Sequence, residues 1–305
     1  MIDLIFLLLI YICIYSLLSM GLNMITGYTG LLSLCQAAFF GIGAYATAIL
    51  TVYAGWGFWT ALIMSCLITS AFGFLIGLPV LRLKGDYLAI ATLGFGEIVR
   101  NVILNWDSFT RGSKGINGIP FPVIFGIEIK SSNLYLFFAF VFIFVVIFYF
   151  ILNRIVHSRF GRALEAIRED EIAASSMGIN VTKYKLISFC IGAFLGGVAG
   201  SLWAVFFTSI APDTFNLMLS IQILCMIVLG GLGNNLAAIV GAFIVVTAAE
   251  LPKLLGFSSI IPPELNQILF GLILVLAMLY RTQGIMGKKR FIAEGNPNKE
   301  RAVER

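Results

Sequence analysis

The strongest constraint on the fold is a series of nine apolar segments, most of them long enough to cross a lipid bilayer. A transmembrane helix needs roughly 20 consecutive apolar residues, and it satisfies its own backbone hydrogen bonds in hydrocarbon. Only 11% of the 305 residues are charged, compared with roughly a quarter in soluble domains. We predict an all-α, polytopic transmembrane helix bundle of about 8–10 spans, because no segment alternates like a membrane β-strand. The segments lie near residues 4–22, 31–50, 58–78, 87–105, 134–152, 186–208, 218–230, 236–251 and 265–280.

Basic residues gather in three polar stretches that nine crossings place on one side of the membrane. Two of them, Arg82 and Lys84, precede the fourth span, six lie within residues 154–185 and seven follow the last span, so fifteen of the 20 basic residues share that side. Cytoplasmic loops carry an excess of Lys and Arg. The sequence therefore predicts a multi-pass protein of the inner (plasma) membrane, with its N-terminus outside and its C-terminus in the cytoplasm. We expect one transmembrane domain over residues 1–290 and a polar, mobile cytoplasmic tail over residues 291–305.

The hydrophilic segment at residues 154–185 favours helix in an otherwise apolar chain. Helix propensity is high from Phe160 to Met177, and Gly178 follows in the position of a helix C-terminal cap. One interpretation is an amphipathic helix that lies on the membrane with its basic side towards lipid headgroups. Anionic lipids would repel the acidic run at residues 169–171, so a cytoplasmic protein partner fits the segment better.

Glycine interrupts two apolar stretches that resemble each other, at residues 27–44 and 230–242. In each stretch, one glycine precedes another by eleven residues: Gly30 before Gly41, and Gly230 before Gly241. Transporters often carry paired broken helices beside their solute sites. Glycine is also common in membrane helices, with 31 in this chain, so a chance match is an equal alternative.

Small residues at helical spacing predict close helix packing in several spans. Residues four apart lie on one helix face, and small side chains there let helix backbones approach in lipid. The second span also carries a mildly polar stripe that includes Ser33 and Gln36. Such a stripe could line a solute route, but interhelical hydrogen bonding is its commoner use. The packing candidates are Gly73, Gly77, Gly192, Gly196 and Gly200.

The sequence lacks the motifs of an enzyme. It contains no phosphate-binding loop, no HExxH motif and no GxSxG elbow. All five cysteines lie in apolar runs without metal-ligand spacing, and no polar domain offers a basic surface for nucleic acid. We expect no catalytic residue, no cofactor or metal in this chain, and no nucleic-acid partner.

Two carboxylates, Glu97 and Glu250, lie within apolar segments. An ion-coupled carrier needs such a group, so a stand-alone proton- or sodium-coupled carrier that uses Glu97 is the alternative function. Arg100 lies three residues after Glu97 and can neutralise it, while Glu250 ends its span beside Lys253. Pairing near the membrane edge is therefore the favoured interpretation.

Five motifs resemble those of one family, the LivM-type permease subunits of ATP-binding-cassette importers for branched-chain amino acids. The most specific is GRALEAIREDEIAASSMGINVTKYK at residues 161–185, which is similar to the family's cytoplasmic coupling loop. Residues 21–47, GDYLAIATLGFGEI at 85–98, LGGLG at 229–233 and RTQGIMG at 281–287 complete the pattern. The resemblance covers about residues 15–290.

The resemblance implies a non-enzymatic subunit that imports leucine, isoleucine and valine, although relatives carry urea, short amides or other amino acids. Its implied partners are a LivH-type permease, two cytoplasmic ATPase subunits that hydrolyse the ATP, an extracytoplasmic solute-binding protein and membrane lipid. The implied coupling residues are Arg162, Glu165, Arg168, Glu171, Ala173, Ala174 and Gly178. The residues expected near the translocation path are Ser33, Gln36, Gly230, Gly231 and Asn234.

Overall fold

The computed structural model describes residues 2–83, 85–124, 127–128, 133–254, 271 and 285–286. Nearly all of this part of the chain is helical, with only four two-residue strands. The predicted span at 265–280 and the predicted tail at 291–305 lie outside the described residues, apart from Gly271. The helices are α1 (Ile2–Leu22), α2 (Gln36–Val52), α3 (Phe58–Val80), α4 (Asp86–Asn105), α5 (Asp107–Thr110), α6 (Leu134–Val156), α7 (Arg159–Glu169), α8 (Glu171–Ser176), α9 (Val181–Phe207), α10 (Leu217–Gly230) and α11 (Asn235–Leu254).

The predicted polytopic helical bundle is confirmed. Among the described residues, five helices are long and apolar enough to cross a membrane: α1 with the π-helical turn Asn23–Gly27 that extends it, α3, α4, α6 and α9. Helices α10 and α11 form a sixth candidate only as a pair, bent by 120°. This differs from the prediction that each of them is a separate span.

Helix α2 is also shorter than predicted. It has 17 residues and begins at Gln36, not near residue 31. Gly30 takes a φ of 73°, a left-handed conformation that ends the preceding helix, and residues 30–35 form a loop. The apolar character of this stretch reflects burial of the loop, because Ser33 and Cys35 are fully buried.

Helix α9 is the centre of the bundle. It packs against α1, α2 and α3, and 78% of the residues in its most apolar window are buried, against 22% for α6. A short chain of hydroxyl groups crosses this centre. Ser201 of α9 lies 2.7 Å from the hydroxyl of Thr47 in α2 and 2.6 Å from that of Ser65 in α3. Such interhelical hydrogen bonds hold helices together where water cannot drive association.

The structure places all five predicted packing glycines at helix contacts. A methyl group at Gly73 would lie 2.6 Å from Cβ of Ala193, and one at Gly77 would lie 2.7 Å from the Leu186 side chain. On α9, Gly192 faces α1, while Gly196 and Gly200 face α2. These contacts let α1, α2 and α3 approach the α9 backbone.

The two ends of the bundle carry different structures. At one end, which we call the α7 end, α7 and α8 lie beside the last turn of α1 and the turn between α10 and α11. At the opposite end, strand β1 (Ile116–Asn117) pairs antiparallel with β4 (Ser209–Ile210), and Arg111 donates a hydrogen bond to the Tyr53 hydroxyl. Strands β2 (Val123–Ile124) and β3 (Ile127–Glu128) also pair with each other.

The packing predicts that Gly200→Ala lowers stability. The added methyl group would meet backbone atoms of α2, including the amide nitrogen of Ala44 at 2.6 Å, and backbone cannot move aside like a flexible side chain. We expect a loss of about 1–3 kcal/mol, the usual cost of overpacking, read as a lower melting temperature in detergent. Gly94→Ala is the matched control, because no atom lies within 4 Å of that position. Equal melting temperatures for the two variants would contradict the prediction.

Candidate functional site

The hydrophilic segment forms two helices, so the prediction of one continuous helix from Phe160 to Met177 is wrong. Asp170 takes an extended conformation (φ −152°, ψ 110°) between α7 and α8. Its carboxylate accepts hydrogen bonds from the backbone N–H groups of Ile172 (2.8 Å) and Ala173 (3.0 Å). Asp is a strong N-terminal cap, and this competing local bond starts a new helix. Gly178 follows α8 with a φ of 82°, the left-handed conformation that glycine commonly adopts after a helix.

Helix α7 is fixed against the end of the bundle by its apolar face. Ala163, Leu164 and Ile167 are buried, and the ring of Phe160 stacks on Tyr184 of α9 at 5.4 Å between centroids. Its first turn is capped by Ser158, whose hydroxyl accepts a hydrogen bond from the Phe160 N–H group. The helix therefore has a defined position relative to α6 and α9.

Arg168 links α7 to both glycine-interrupted stretches. Its guanidinium group donates a hydrogen bond to the carbonyl oxygen of Gly27, at the end of the π-helical turn after α1. Its aliphatic stem lies against Gly30, where a methyl group would be 3.2 Å from Cγ of Arg168. A methyl group at Gly233, in the turn between α10 and α11, would be 2.8 Å from the same guanidinium.

Asn23 joins the two stretches directly. It is fully buried, its side-chain oxygen accepts a hydrogen bond from the Gly233 N–H group (3.0 Å), and its amide nitrogen lies 3.3 Å from the side-chain oxygen of Asn235. Both glycine-rich stretches therefore interrupt helices, and the two interruptions are in contact. We call the group of Asn23, Gly27, Gly30, Arg168 and Gly233 the α7 junction.

Tyr28 follows Gly27 in the chain and is a buried phenol beside the junction. Burial raises the pKa of the Tyr28 phenol above its ordinary value, and the nearby Glu165 carboxylate adds to the rise. The neutral phenol belongs to the buried wall between α1 and α7. Among the described residues, no group of three or more His, Cys, Asp or Glu side chains is placed to hold a metal ion.

Helix α8 is tied to α9 by one ion pair and presents apolar side chains outwards. Lys185 is only 5% exposed, and its ammonium group lies 2.8 Å from the Glu171 carboxylate. Ile172 and Met177 are 75% and 84% exposed. Large apolar side chains with this exposure on a short hydrophilic helix are typical of a surface that another protein covers.

The predicted coupling residues therefore fall into three groups. Arg162, Ala173 and Gly178 are exposed, Ala174 is buried, and Glu165, Arg168 and Glu171 are half-buried with contacts inside the protein. Sequence reasoning missed Asn23, Lys185 and Met177. Asn23 and Lys185 stand out because each is a polar side chain that is buried in the folded chain. A single sequence does not show which polar residues are buried, so it gave no signal for these two.

The predicted path residues do not share one surface in the described part of the chain. Gln36 is fully buried, and its amide nitrogen donates to the carbonyl oxygens of Leu18 (3.4 Å) and Gly192 (3.3 Å), so it connects α2 to α1 and α9. Ser33 is also buried, 3.2 Å from the Cys35 sulfur. Gln36 thus makes interhelical hydrogen bonds, whereas Ser33 contacts a residue of its own loop. A role of either residue in a solute route stays a prediction.

The other three path candidates lie around the turn between α10 and α11. Gly230 packs against the first turns of α11, Gly231 takes a φ of 124°, and the Asn234 side chain accepts a hydrogen bond from the Leu236 N–H group at the start of α11. The Met286 N–H group donates to the Gly230 carbonyl oxygen (2.9 Å), so Met286 contacts this turn. A role of these residues in a solute route stays a prediction.

Known proteins are similar to this sequence over most of its length. The family described as "Branched-chain amino acid transport system / permease component" matches residues 4–278. The permease protein LivM of the high-affinity branched-chain amino acid transport system of Salmonella typhimurium is 39% identical over 91% of this chain and 68% of its own length, and LivM of Escherichia coli gives the same values. The permease protein LivH of Escherichia coli is 26% identical over 90% of this chain and 91% of its own length.

No solved structure matches the chain. The family match covers most of the sequence, and each of the two LivM proteins is more than one third identical to this chain. Several of the described helices are apolar enough to span a membrane. The chain is therefore a multi-pass membrane protein that belongs to the family of permease components of branched-chain amino acid transport systems.

Proposed function

We propose that this chain is the LivM-type permease subunit of an ATP-driven importer for leucine, isoleucine and valine. A second permease of the LivH type completes the membrane part, two cytoplasmic ATPase subunits supply the energy, and an extracytoplasmic solute-binding protein delivers the solute. The proposal is supported by the similarity to both LivM and LivH, since one chain that resembles two named permeases fits a pair of related subunits. The solute class follows the names of these relatives.

One observation carries the proposal: Arg168 connects a hydrophilic helix pair to two interrupted membrane helices. Helices α7 and α8 follow one another at the α7 end, and Arg168 contacts both interruptions at once. Asp170 connects the two helices, since its N–H group donates to the Ala166 carbonyl oxygen of α7 (3.1 Å) and its carbonyl oxygen accepts from the Ala174 N–H group of α8 (3.0 Å). A force on α8 is therefore passed to α7, where it displaces Arg168 and the helix ends that Arg168 touches. This arrangement suits a subunit that converts closure of an external motor into movement of membrane helices.

The exposed face of α8 fits the ATPase contact. The side chains of Ile172 and Met177 are exposed in the described chain, and burying these apolar groups against a partner is favourable. The sequence itself contains no phosphate-binding loop, so ATP binds to the partner subunits and this chain needs no cofactor and performs no catalysis.

The charge distribution supports a cytoplasmic α7 end. Arg82 follows α3 at this end, and Arg154, Arg159, Arg162 and Lys183 belong to α6, α7 and the first turn of α9. From this excess of basic residues we infer, by the positive-inside rule, that the α7 end faces the cytoplasm. The N-terminus of α1 is then outside, and the C-terminus is cytoplasmic.

The ion-coupled alternative has less support. Its candidate carboxylate, Glu97, lies 3.5 Å from Arg100, which also lies 3.2 Å from Asp213. Glu97 therefore belongs to an ion-paired cluster, which is the pairing favoured from the sequence over a free coupling carboxylate. Relatives of the family that carry urea, short amides or other amino acids remain the alternative for the solute.

Reconstitution tests the proposal directly. Proteoliposomes that contain both permeases and both ATPases should accumulate leucine only with internal ATP and external solute-loaded binding protein. Uptake by this chain alone, driven by a proton or sodium gradient, would instead establish the ion-coupled carrier.

Reversing the charge of Glu171 should uncouple ATP hydrolysis from uptake. In Glu171→Lys, the new ammonium group would lie beside the ammonium group of buried Lys185, so the two would repel each other and α8 would lose its ion pair to α9. We expect leucine uptake to fall about tenfold or more, the factor for losing a charged hydrogen bond, while ATP hydrolysis continues. A bulky residue at Gly178, where φ is 82°, should act in the same direction. Glu169→Lys, an exposed reversal nearby, is the control. Full uptake with normal ATPase co-purification in Glu171→Lys would count against the assignment.

Removing the Arg168 guanidinium should break transmission without preventing docking. Arg168→Gln loses the hydrogen bond to the Gly27 carbonyl oxygen, whereas the exposed side chains of α8 stay unchanged. We expect the ATPase subunits to co-purify at wild-type levels and the number of leucine molecules imported per ATP to fall. Arg159→Gln, at an exposed position of the same helix, should import normally. If the two variants behave alike, the junction does not transmit the movement.

A further inference from the structure

Helix α4 carries charged and amide side chains on a face that the rest of the described chain leaves uncovered. Glu97 and Arg100 lie inside the span, roughly 12 Å and 8 Å before its end at Asn105, by the rise of an α-helix. Asn101 and Asn105 are exposed, and their side chains donate only to carbonyl oxygens of the same helix in the described structure. Only 28% of the most apolar window of α4 is buried.

A comparison with α6 shows that this face is not suited to lipid. Helix α6 is just as uncovered, but its exposed side chains are apolar, among them Phe142, Ile143, Ile147 and Phe150. Hydrocarbon can solvate that surface. It cannot solvate Glu97 and Arg100, since ionisable groups inside a membrane face protein or a water-filled cavity. Helix α4 also exposes the apolar side chains of Ile90, Ile98 and Val102. Only the part of its surface that carries Glu97 and Arg100 therefore lies against water, solute or another protein.

The charged groups on this face form a cluster that joins α4 to the segment before α10. One guanidinium nitrogen of Arg100 lies 3.5 Å from the Glu97 carboxylate, and another lies 3.2 Å from the Asp213 carboxylate. The side chains of Arg100, Glu97 and Asp213 are 29%, 36% and 79% exposed. The third nitrogen, Nε of Arg100, is buried and has no hydrogen-bond partner in the described chain. The cluster thus has an unsatisfied cationic donor and one more negative than positive charge.

A narrow cleft lies beside the cluster. Glu97 and Gly96 form its α4 side, Asn216 and Ser220 form its α10 side, and Leu34 closes it from the loop before α2. Glu97 therefore lines the same space as the start of α10. The loop at 30–35 that borders this space begins at Gly30 of the α7 junction, so movement of the junction reaches the cleft.

We propose that Glu97, Arg100 and Asp213 are the contact site for the charged head group of the transported amino acid, an inference that rests on the proposed function. The Arg100 guanidinium donates to the α-carboxylate, and the Asp213 and Glu97 carboxylates accept hydrogen bonds from the α-ammonium group. An α-amino acid carries one charge of each sign, so it exchanges ion pairs with the cluster without changing the net charge of the cluster. The cluster recognises the zwitterion, whatever its side chain.

Cysteine labelling tests whether this face meets water in the intact complex. Glu97→Cys and Asp213→Cys should react with a membrane-impermeant maleimide at least about tenfold faster than Ile143→Cys, because only the thiolate reacts and a thiol in lipid stays protonated. Ile143 is the matched control, being 55% exposed on the apolar face of α6. The parent protein, whose five cysteines are buried or half-buried, sets the background. Labelling of Glu97→Cys no faster than the control would overturn the proposal.

Uptake measurements test the contact with solute. In proteoliposomes, Arg100→Gln should lower leucine uptake about tenfold or more, the factor for losing a charged hydrogen bond, while ATP hydrolysis stimulated by the loaded binding protein persists. Arg100→Lys keeps the charge and should restore part of the uptake. Arg111→Gln is the control, since this arginine lies outside the cluster and its guanidinium contacts Tyr53.

The outcomes separate this proposal from the proposed function. Wild-type uptake by Arg100→Gln would refute the head-group site and leave the importer standing. Loss of the second permease from purified Arg100→Gln complexes would also refute it, by showing that the face is a subunit interface. Absence of ATP-dependent uptake by the wild-type complex would instead refute the importer function on which the site rests.

Discussion

The structure depends on how two interrupted membrane helices satisfy the backbone groups that their breaks release. In hydrocarbon an unpaired N–H or C=O group costs several kcal/mol, so a break persists only where partners lie next to it. Here the two breaks supply partners to each other. Buried Asn23 accepts a hydrogen bond from the Gly233 N–H group, and Arg168 donates to the Gly27 carbonyl oxygen. Glycine is required at Gly30 and Gly233, both with positive φ and both against the Arg168 side chain.

This constraint is the physical basis of the proposed coupling between α7 and the membrane part. The centre of the bundle is rigid, because α9 holds α2 and α3 through glycine contacts and a hydroxyl chain that passes through Ser201. The interruptions are joined through buried Asn23, and both touch the side chain of Arg168 from α7. In the proposed coupling, displacing that arginine would change the partners of two helix ends at once. The uncovered charged face of α4 borders the loop that leaves one of these ends.

Particular residues show how far the sequence predicts the structure. The apolar runs predicted the helical bundle and the boundaries of α3, α4, α6 and α9 closely, and the motifs predicted the family. The break at Asp170 was not predicted, because the residues around it favour helix and the capping strength of a single aspartate was given less weight. Gln36 and Ser33 were candidates for a solute route because a stripe gives spacing but not the neighbour that the stripe faces. The neighbour of Gln36, Gly192, lies 156 residues away in the chain.

The sequence by itself determined that the chain enters a membrane, that it folds as helices, and which segment stays in water. These properties follow from local hydropathy and backbone hydrogen bonding, which act within one segment. Only the tertiary structure decided that Arg168 contacts two glycine breaks, that Lys185 pairs with Glu171, and that Arg100 joins Glu97 to Asp213. Such contacts depend on the packing of several helices together, and in a single sequence each of these residues is only one polar side chain among its neighbours.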